Sequence, residues 1–214
     1  MTATEDGKIQ TILAETRVLF NGVPAPVLFV SATQSSAIVP YAMAGLSAVD
    51  VQVEYKGIRS SVVSMPVVPS RLGIFTLDGS GRGQGKVLND DGTLNTAESP
   101  AKQGSVIVLF VTGEGLTDPA GVEDHIIGDI LPRPKLPLMA FAGGDCDFAE
   151  VVSASSVRGS VPGLLEVKLR LSDQIVCVVG DHLEVLRGTV PMSFRSGQQQ
   201  FYSYSQPGVT LAIK

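Results

Sequence analysis

The sequence predicts an all-β protein arranged as two tandem β-sandwiches. Three observations lead there. First, the chain repeats a phrase: residues 20–40 read FNGVPAPVLFVSATQSSAIVP and residues 141–162 read FAGGDCDFAEVVSASSVRGSVP. Both open on Phe-x-Gly, pass through Ser-Ala and close on Val-Pro, about 121 residues apart. That period is longer than a solenoid unit and fits two related domains. Second, short apolar runs recur with turn residues between them, the spacing of a sandwich. Third, no stretch shows the 3.6-residue periodicity of an amphipathic helix.

The elements follow in order. Residues 17–20 and 25–30 open the first domain. Residues 49–55 alternate strictly, with Val49, Val51, Val53 and Tyr55 on one face and Asp50, Gln52 and Glu54 on the other, which predicts a half-buried strand. Lys56-Gly57 predicts a tight turn, and residues 60–67 return as the second arm of a hairpin. The joint falls in 65–75, MPVVPSRLGIF, where Pro66 and Pro69 cannot donate to a ladder. The domains are therefore expected at 1–70 and 71–214. In the second, residues 78–99 are Gly-rich and polar and read as loops with a hairpin. The strand at 105–111 is apolar without interruption from Val106 and is expected to be covered on both faces. Residues 117–137 form a long insertion with four prolines, longer than sandwich connections require. It is expected to lie outside the core, held over a domain edge by Ile126, Ile127, Ile130 and Leu131. Leu165, Val167, Leu169 and Leu171 alternate with Glu166, Lys168 and Arg170. Strands at 175–179, 190–194 and 209–213 complete the set.

Composition narrows the function classes. Of 214 residues, 44% are hydrophobic and 17% charged, enough apolar material for real cores. The 16 basic against 21 acidic residues give a net charge of −5, and the cations are scattered. Nucleic acid binding needs clustered cations along a phosphate track, so it is not expected. No apolar run approaches the ~20 residues of a membrane span. The start, MTATEDGKIQ, lacks the basic and apolar regions of a signal peptide. The chain is therefore expected to be either cytosolic or a piece cut from a longer secreted chain, and the polar opening before the first strand favours the cut piece.

Residues 83–115, GQGKVLNDDGTLNTAESPAKQGSVIVLFVTGEG, resemble the signature of a Solibacter-type uncharacterised C-terminal domain family of acidobacterial secreted proteins. The pieces NGVPAPVLFVSATQSSAIVP, PSRLGIFTLD, VPGLLEVKLRL and QPGVTLAIK fit in the same order, so the resemblance spans about 190 residues. Each half is also similar to an IPT/TIG-like immunoglobulin-fold domain, whose mark is a Gly-x-Pro-Ala turn; Gly22-Val23-Pro24-Ala25 carries it. The resemblance implies two immunoglobulin-like sandwiches, secretion, a place at the end of a long polypeptide and no assigned activity. The chain departs from the pattern at the second turn, Gly143-Gly144-Asp145-Cys146, and in residues 172–189, which run longer than usual. The opening strand of the first domain has no clear counterpart.

The candidate sites are few. Cys146 and Cys177 are the only cysteines; they read as a disulfide, or Cys177 as an ordinary small core residue. A cysteine-protease reading needs a paired His that neither histidine supplies. Asn89-Asp90-Asp91-Gly92-x-x-Asn95 offers oxygen ligands at calcium-like spacing but no bidentate Glu, and Asp-Gly is a common hairpin turn. His125 after Glu123-Asp124, and His182 after Asp181, are acid–His neighbours without a third zinc ligand. The run Gly79-x-Gly81-x-Gly83-x-Gly85 lacks the following helix a phosphate loop needs. Phe201, Tyr202 and Tyr204, beside Gln198–Gln200, form the one aromatic, adaptable patch suited to recognition.

No acid/base or metal cluster assembles, so neither an enzyme nor a cofactor is expected. The expected function is a non-enzymatic structural or protein-interaction module of an exported bacterial protein, with an unknown protein or glycan partner. The alternative is a carbohydrate-binding or adhesion module, for which 6% aromatics without Trp is a poor supply.

Overall fold

A computed structural model of the chain describes residues 3–197 and 203–214. Among these the protein is all-β: every regular element is a strand except a 3-10 turn at Tyr41–Met43. No helix is long and apolar enough to cross a membrane. The chain divides into two compact units, each assembled from separate stretches.

The first unit comprises Met1–Pro69, Gly115–Pro132 and Ser156–Gly163. Its boundary at Pro69 falls beside the division expected at 70/71. The other two stretches lie inside what the sequence assigns to the second domain, 71–214. The central strand is Ala48–Tyr55. It pairs antiparallel with Thr16–Phe20 on one side and with Ile58–Arg59 and Val63–Pro66 on the other. Turns at Asn21-Gly22 and Lys56-Gly57 each place two consecutive residues at positive φ (49° and 80°; 50° and 79°). That geometry matches the right-handed twist of a two-residue hairpin. A second pair, Val27–Val30 with Ser35–Ala37, lies apart from this sheet. The core is small: Val18, Phe20, Ala25, Met43 and Val49. Along the central strand the inward set is covered at Val49, 4% exposed, and uncovered by Tyr55, 53% exposed.

The insertion expected at 117–137 joins this unit through its backbone. The Ile9 N–H donates to the Asp124 carbonyl (2.7 Å) and the Ile126 N–H to the Gly7 carbonyl (2.9 Å). Of its four expected apolar anchors, Ile127 is buried, while Ile130 and Leu131 are exposed. Ladder hydrogen bonds with residues 7–9, rather than a row of Ile and Leu contacts, hold it.

The second unit comprises Ser70–Glu114, Arg133–Ser155 and Leu164–Lys214. One long sheet carries it, in the order Val87–Leu88, Val106–Thr112, Leu165–Arg170, Asp147–Ser156, Leu138–Ala142, Gly188–Ser196, Val209–Ile213 and Gly83–Gln84. The sheet is curled, consistent with a β-sandwich. The Gly85 N–H donates to the Thr210 carbonyl, Gly85 bridges Thr76, and Gly73–Ile74 pairs with Val111 and Thr112. These short pairings cover parts of the edges that the sheet would otherwise expose. Inside lie Ile107, Leu109, Val111, Leu165, Val167, Leu169, Phe194 and Leu211, each 0% exposed. Val106, Val108 and Phe110 are only half-buried, so the strand at 105–111 is fully covered on one face and not on both.

Candidate functional site

One element of the second unit stands outside this sheet. Val176–Val179 and His182–Val185 form a separate two-stranded hairpin. Gly180 and Asp181 close it, with positive φ (68°) at Gly180 alone, as a II′ turn requires. The register opposes Val176 to Val185, Cys177 to Glu184, Val178 to Leu183 and Val179 to His182. Because side chains alternate, one face of the hairpin is Val176, Val178, Leu183 and Val185. That face meets water: Val178 is 68% exposed and Leu183 71%.

The base is held firmly. Ile175, 0% exposed, is sunk in the core immediately before the first arm. Gln103 grips both ends, accepting from the Ile175 N–H through Oε1 (2.6 Å) and donating through Nε2 to the Leu186 carbonyl (3.1 Å). The Leu186 N–H donates to the Ile175 carbonyl (2.8 Å). Asp147 accepts from the Val176 N–H (3.3 Å) and from the Ser172 hydroxyl (3.1 Å). A Cys146–Cys177 disulfide, with Cα atoms 4.9 Å apart, ties the first arm to the turn at Gly143-Gly144. That turn is itself fixed by an Asp145–Arg195 ion pair (2.6 Å). The Arg195 guanidinium lies over the Phe141 ring at 4.5 Å, and Phe141 meets Phe148 edge to face at 5.5 Å. Between turn and hairpin is an open depression of about 480 Å³, lined by Asp145, Asp147, Val176, Val178, Leu183 and the two cysteines.

The other candidates resolve into structure. In the calcium-like segment, Asn89 and Asn95 turn inward. The Asn95 Nδ2 donates to Asn89 Oδ1 (3.0 Å) and the Ala212 carbonyl (2.8 Å), while its Oδ1 accepts from the Ala212 N–H (2.9 Å) and Gln84 Nε2 (2.9 Å). Asp91 accepts from the N–H and hydroxyl of Thr93, and these bonds hold its carboxyl below the usual range. In the Gly79–Gly85 run, the amides that a phosphate would need are taken. Ser80 N–H donates to Asp78, Gly81 N–H to the Thr76 hydroxyl, and Gly83 N–H to the Gly208 carbonyl. Among the described residues no group of three His, Cys, Asp or Glu side chains could hold a metal ion.

His125 lies 2.7 Å from Asp124 and is exposed. His182 sits between Asp181 (3.3 Å) and Glu184 (2.9 Å) at the hairpin tip. Of the expected recognition patch, Phe201 and Tyr202 lie outside the described residues; Ser203–Tyr204 pairs through its backbone with Arg195 and Ser196. Sequence reasoning passed over the apolar face of the hairpin because an apolar run reads as core. The signal that could have found it is Gly180-Asp181, a turn closing two short apolar arms.

No family model, curated protein sequence or solved structure matches the chain.

Proposed function

We propose that this chain is a non-enzymatic structural or protein-interaction module at the C-terminal end of a larger exported bacterial protein. In this reading its two units are immunoglobulin-like sandwiches of the IPT/TIG-like kind. The observation that carries it is the 176–185 hairpin. Scattered exposed apolar residues are ordinary. An apolar pair presented at the tip of a hairpin clamped by a disulfide, a buried Ile and a two-ended Gln is not, because the clamps remove the ordering cost that a docking loop would meet on binding. Burying a side chain such as Leu183 under a partner contributes roughly 1.5–3 kcal/mol. The disulfide suits an oxidising, extracytoplasmic compartment.

A peptide library and a glycan array, each probed with the folded protein and with Leu183→Ser, test the proposal. Peptide binding that disappears in Leu183→Ser is the expected result. Glycan binding that survives the substitution overturns it in favour of a carbohydrate-binding module.

A further inference from the structure

The first unit leaves one edge of its sheet open. Among the described residues, the return strand at 58–66 pairs only with the central strand Ala48–Tyr55. Every residue from 55 to 66 is exposed. The register says which backbone groups are free. The Asp50 N–H donates to Asn21 Oδ1 (2.8 Å) and its carbonyl accepts from the Asn21 N–H (2.8 Å), so the Asp50 backbone faces Thr16–Phe20. Backbone direction alternates along a strand, so Val49 and Val51 bond the return strand, and Ser64, opposite Asp50, turns its N–H and carbonyl outward. Val62, two residues earlier, does the same. The open run is bounded at both ends. The Ser60 N–H donates inward to the Val53 carbonyl (2.8 Å), and Pro66 has no N–H to offer. Edges are commonly blunted with charge, yet residues 60–68, SSVVSMPVV, carry none. On the face of the central strand that presents Val53 and Tyr55, the register sets Ile58, Val63 and Met65 alongside, and all five are exposed.

We infer that residues 61–65 accept an added β-strand from another protein, an extended segment with apolar residues at every second position and polar ones between. This edge is separate from the 176–185 hairpin, and the inference goes beyond that element's role. A row of outward N–H and carbonyl groups is matched by a second backbone in extended form, and alternate side chains then set the register. An incoming residue beside Val63 or Met65 lies on the apolar face. One beside Ser64 lies on the other face, with Asp50. A second copy laid along the same edge would engage about five residues a side, against roughly 20–30 a side in a stable interface. A single extended segment is complete at that length, so the occupant is a strand from a partner and not this chain.

Labelled synthetic peptides test this by fluorescence anisotropy with the oxidised full chain. One alternates Val with Ser, and one gathers the same Val residues at one end. Two more are the alternating peptide N-methylated on one or the other alternate set of amides. The alternating peptide should bind, and the gathered one should not. Methylation of one set should abolish binding, while methylation of the other, which points away from the edge, should leave it. Ser64→Pro removes an outward N–H that the native ladder does not use, as an edge position allows. It should weaken binding roughly two- to tenfold, the worth of one hydrogen bond, at an unchanged melting temperature. In the unsubstituted protein, the Val62 and Ser64 amides should become protected from exchange when the peptide is added.

Equal binding of the alternating and gathered peptides overturns the inference as unspecific apolar attraction. Equal binding of the two methylated peptides overturns it by showing that no backbone is read. Binding without new protection at Val62 and Ser64, or binding lost in Leu183→Ser, places the peptide elsewhere and overturns it while leaving the hairpin reading intact. No binding of any peptide overturns it as well. Self-association lost in Ser64→Pro, seen by sedimentation, overturns it by making a second copy the occupant.

Discussion

Cys146 is bonded to Cys177 with their Cα atoms 4.9 Å apart, which joins the turn at 143–146 to the hairpin at 176–185. The two segments are one construction. The turn supplies an anchor and the later stretch supplies the hairpin it anchors. Each segment looks arbitrary in the linear sequence and makes sense only with the other.

Removing the bridge, by Cys146→Ser with Cys177→Ser or by reduction, should cost roughly 3.5–4 kcal/mol from the loop of 31 residues it closes. The loss should be uneven. Gln103 and Ile175 still hold the base, so amide exchange should rise within 176–185 while the buried strands stay protected. Denaturant melts with and without reductant, read beside exchange mass spectrometry, check both parts. A uniform rise across the second unit would mean that the bridge supports the core and not the hairpin.

Glu114 should give the protein a recognisable pH signature. It is 3% exposed, and burial pushes its carboxyl up, while the N–H groups of Glu114 and Gly113 pull back more weakly. A raised folded value means that the folded chain holds its proton more tightly than the unfolded one. The stabilisation is therefore complete below the unfolded value of about 4.5 and is lost as pH rises through the folded value. Above that, Glu114 is a standing cost. Glu114→Gln should raise the urea midpoint at pH 8 and have little effect below pH 4.5. Asp78 and Asp91, whose carboxyls are lowered chiefly by bonds from Ser80 and Thr93, pull the opposite way in both proteins, so the difference between the two curves isolates Glu114.

Asn95→Ala should be costly for a residue in a polar, turn-rich stretch. Its side chain is 0% exposed and completes four hydrogen bonds. Truncation strands the Ala212 N–H in the interior, which costs about 2–3 kcal/mol with the lost bonds. Thermal melts of the variant check this. Adding calcium to the unmodified protein should leave its melting temperature unchanged, because Asn89 and Asn95 are already committed to each other.

What was legible in the sequence was local periodicity. The alternation of 49–55 and of 165–171 exposes a two-residue period, and Lys56-Gly57 announces its turn. The coverage of each face was not legible. Val49 and Tyr55 share a face by pattern, yet one is buried and the other half open. That depends on residues distant in sequence, such as Ala25, Ala37 and Met43, which pack with Val49. The uninterrupted run at 106–111 reads as doubly buried because apolar composition is silent on a half-covered outer face. Ile175 and Val178 belong to one apolar run, but the first is sealed in the core and the second stands in water. A run cannot announce where the chain steps out of its core. The two Phe-x-Gly phrases both lead into turns but one residue out of register: positive φ falls on Asn21 and Gly22 in the first and on Gly143 and Gly144 in the second, where Ala142, the counterpart of Asn21, is still in a strand.

Gly113→Ala should unfold or severely weaken the second unit. Gly113 has φ of 83°, and a Cβ there would lie 2.0 Å from the Arg71 carbonyl oxygen. The strand cannot yield, because the Gly113 carbonyl accepts from both the Arg71 N–H (2.9 Å) and the Ser70 hydroxyl (2.9 Å). Left-handed strain alone costs on the order of 1–3 kcal/mol, and the backbone clash adds to it. Gly144→Ala is the control. It has a similar φ (77°) and nothing within 4 Å of the added carbon, so it should lose only the conformational part. Equal losses in the two variants would show that the approach of Arg71 is relaxed at little cost.

Replacing residues 121–129 with a Gly/Ser linker should destabilise the first unit and leave the second nearly unchanged. From the sequence alone the 117–137 insertion that contains it, with its four prolines, reads as lying outside the core and replaceable. The structure reverses that expectation. Residues 124–126 supply the ladder that fixes the N-terminal stretch, through Ile9 N–H to Asp124 and Ile126 N–H to Gly7, with the Lys8–Asp124 ion pair (3.5 Å) alongside. The Ile127 N–H donates to the Ser160 carbonyl and its own carbonyl accepts from Gly159 (2.9 and 2.8 Å), which fastens the 156–163 stretch as well. Ile9, 0% exposed, and Ile127, 8% exposed, are the buried side chains at stake. A unit with so small a core as Val18, Phe20, Ala25, Met43 and Val49 has little stability to spare. Two stretches would lose their ladder partners at once, and unpaired buried N–H groups cost about 1–3 kcal/mol each. Exchange mass spectrometry should show fast exchange at residues 4–12 and a lower unfolding midpoint for the first unit, with the strands at 106–112 and 165–170 still protected. Unchanged protection at 4–12 would mean that this stretch is held by something other than the 124–127 ladder.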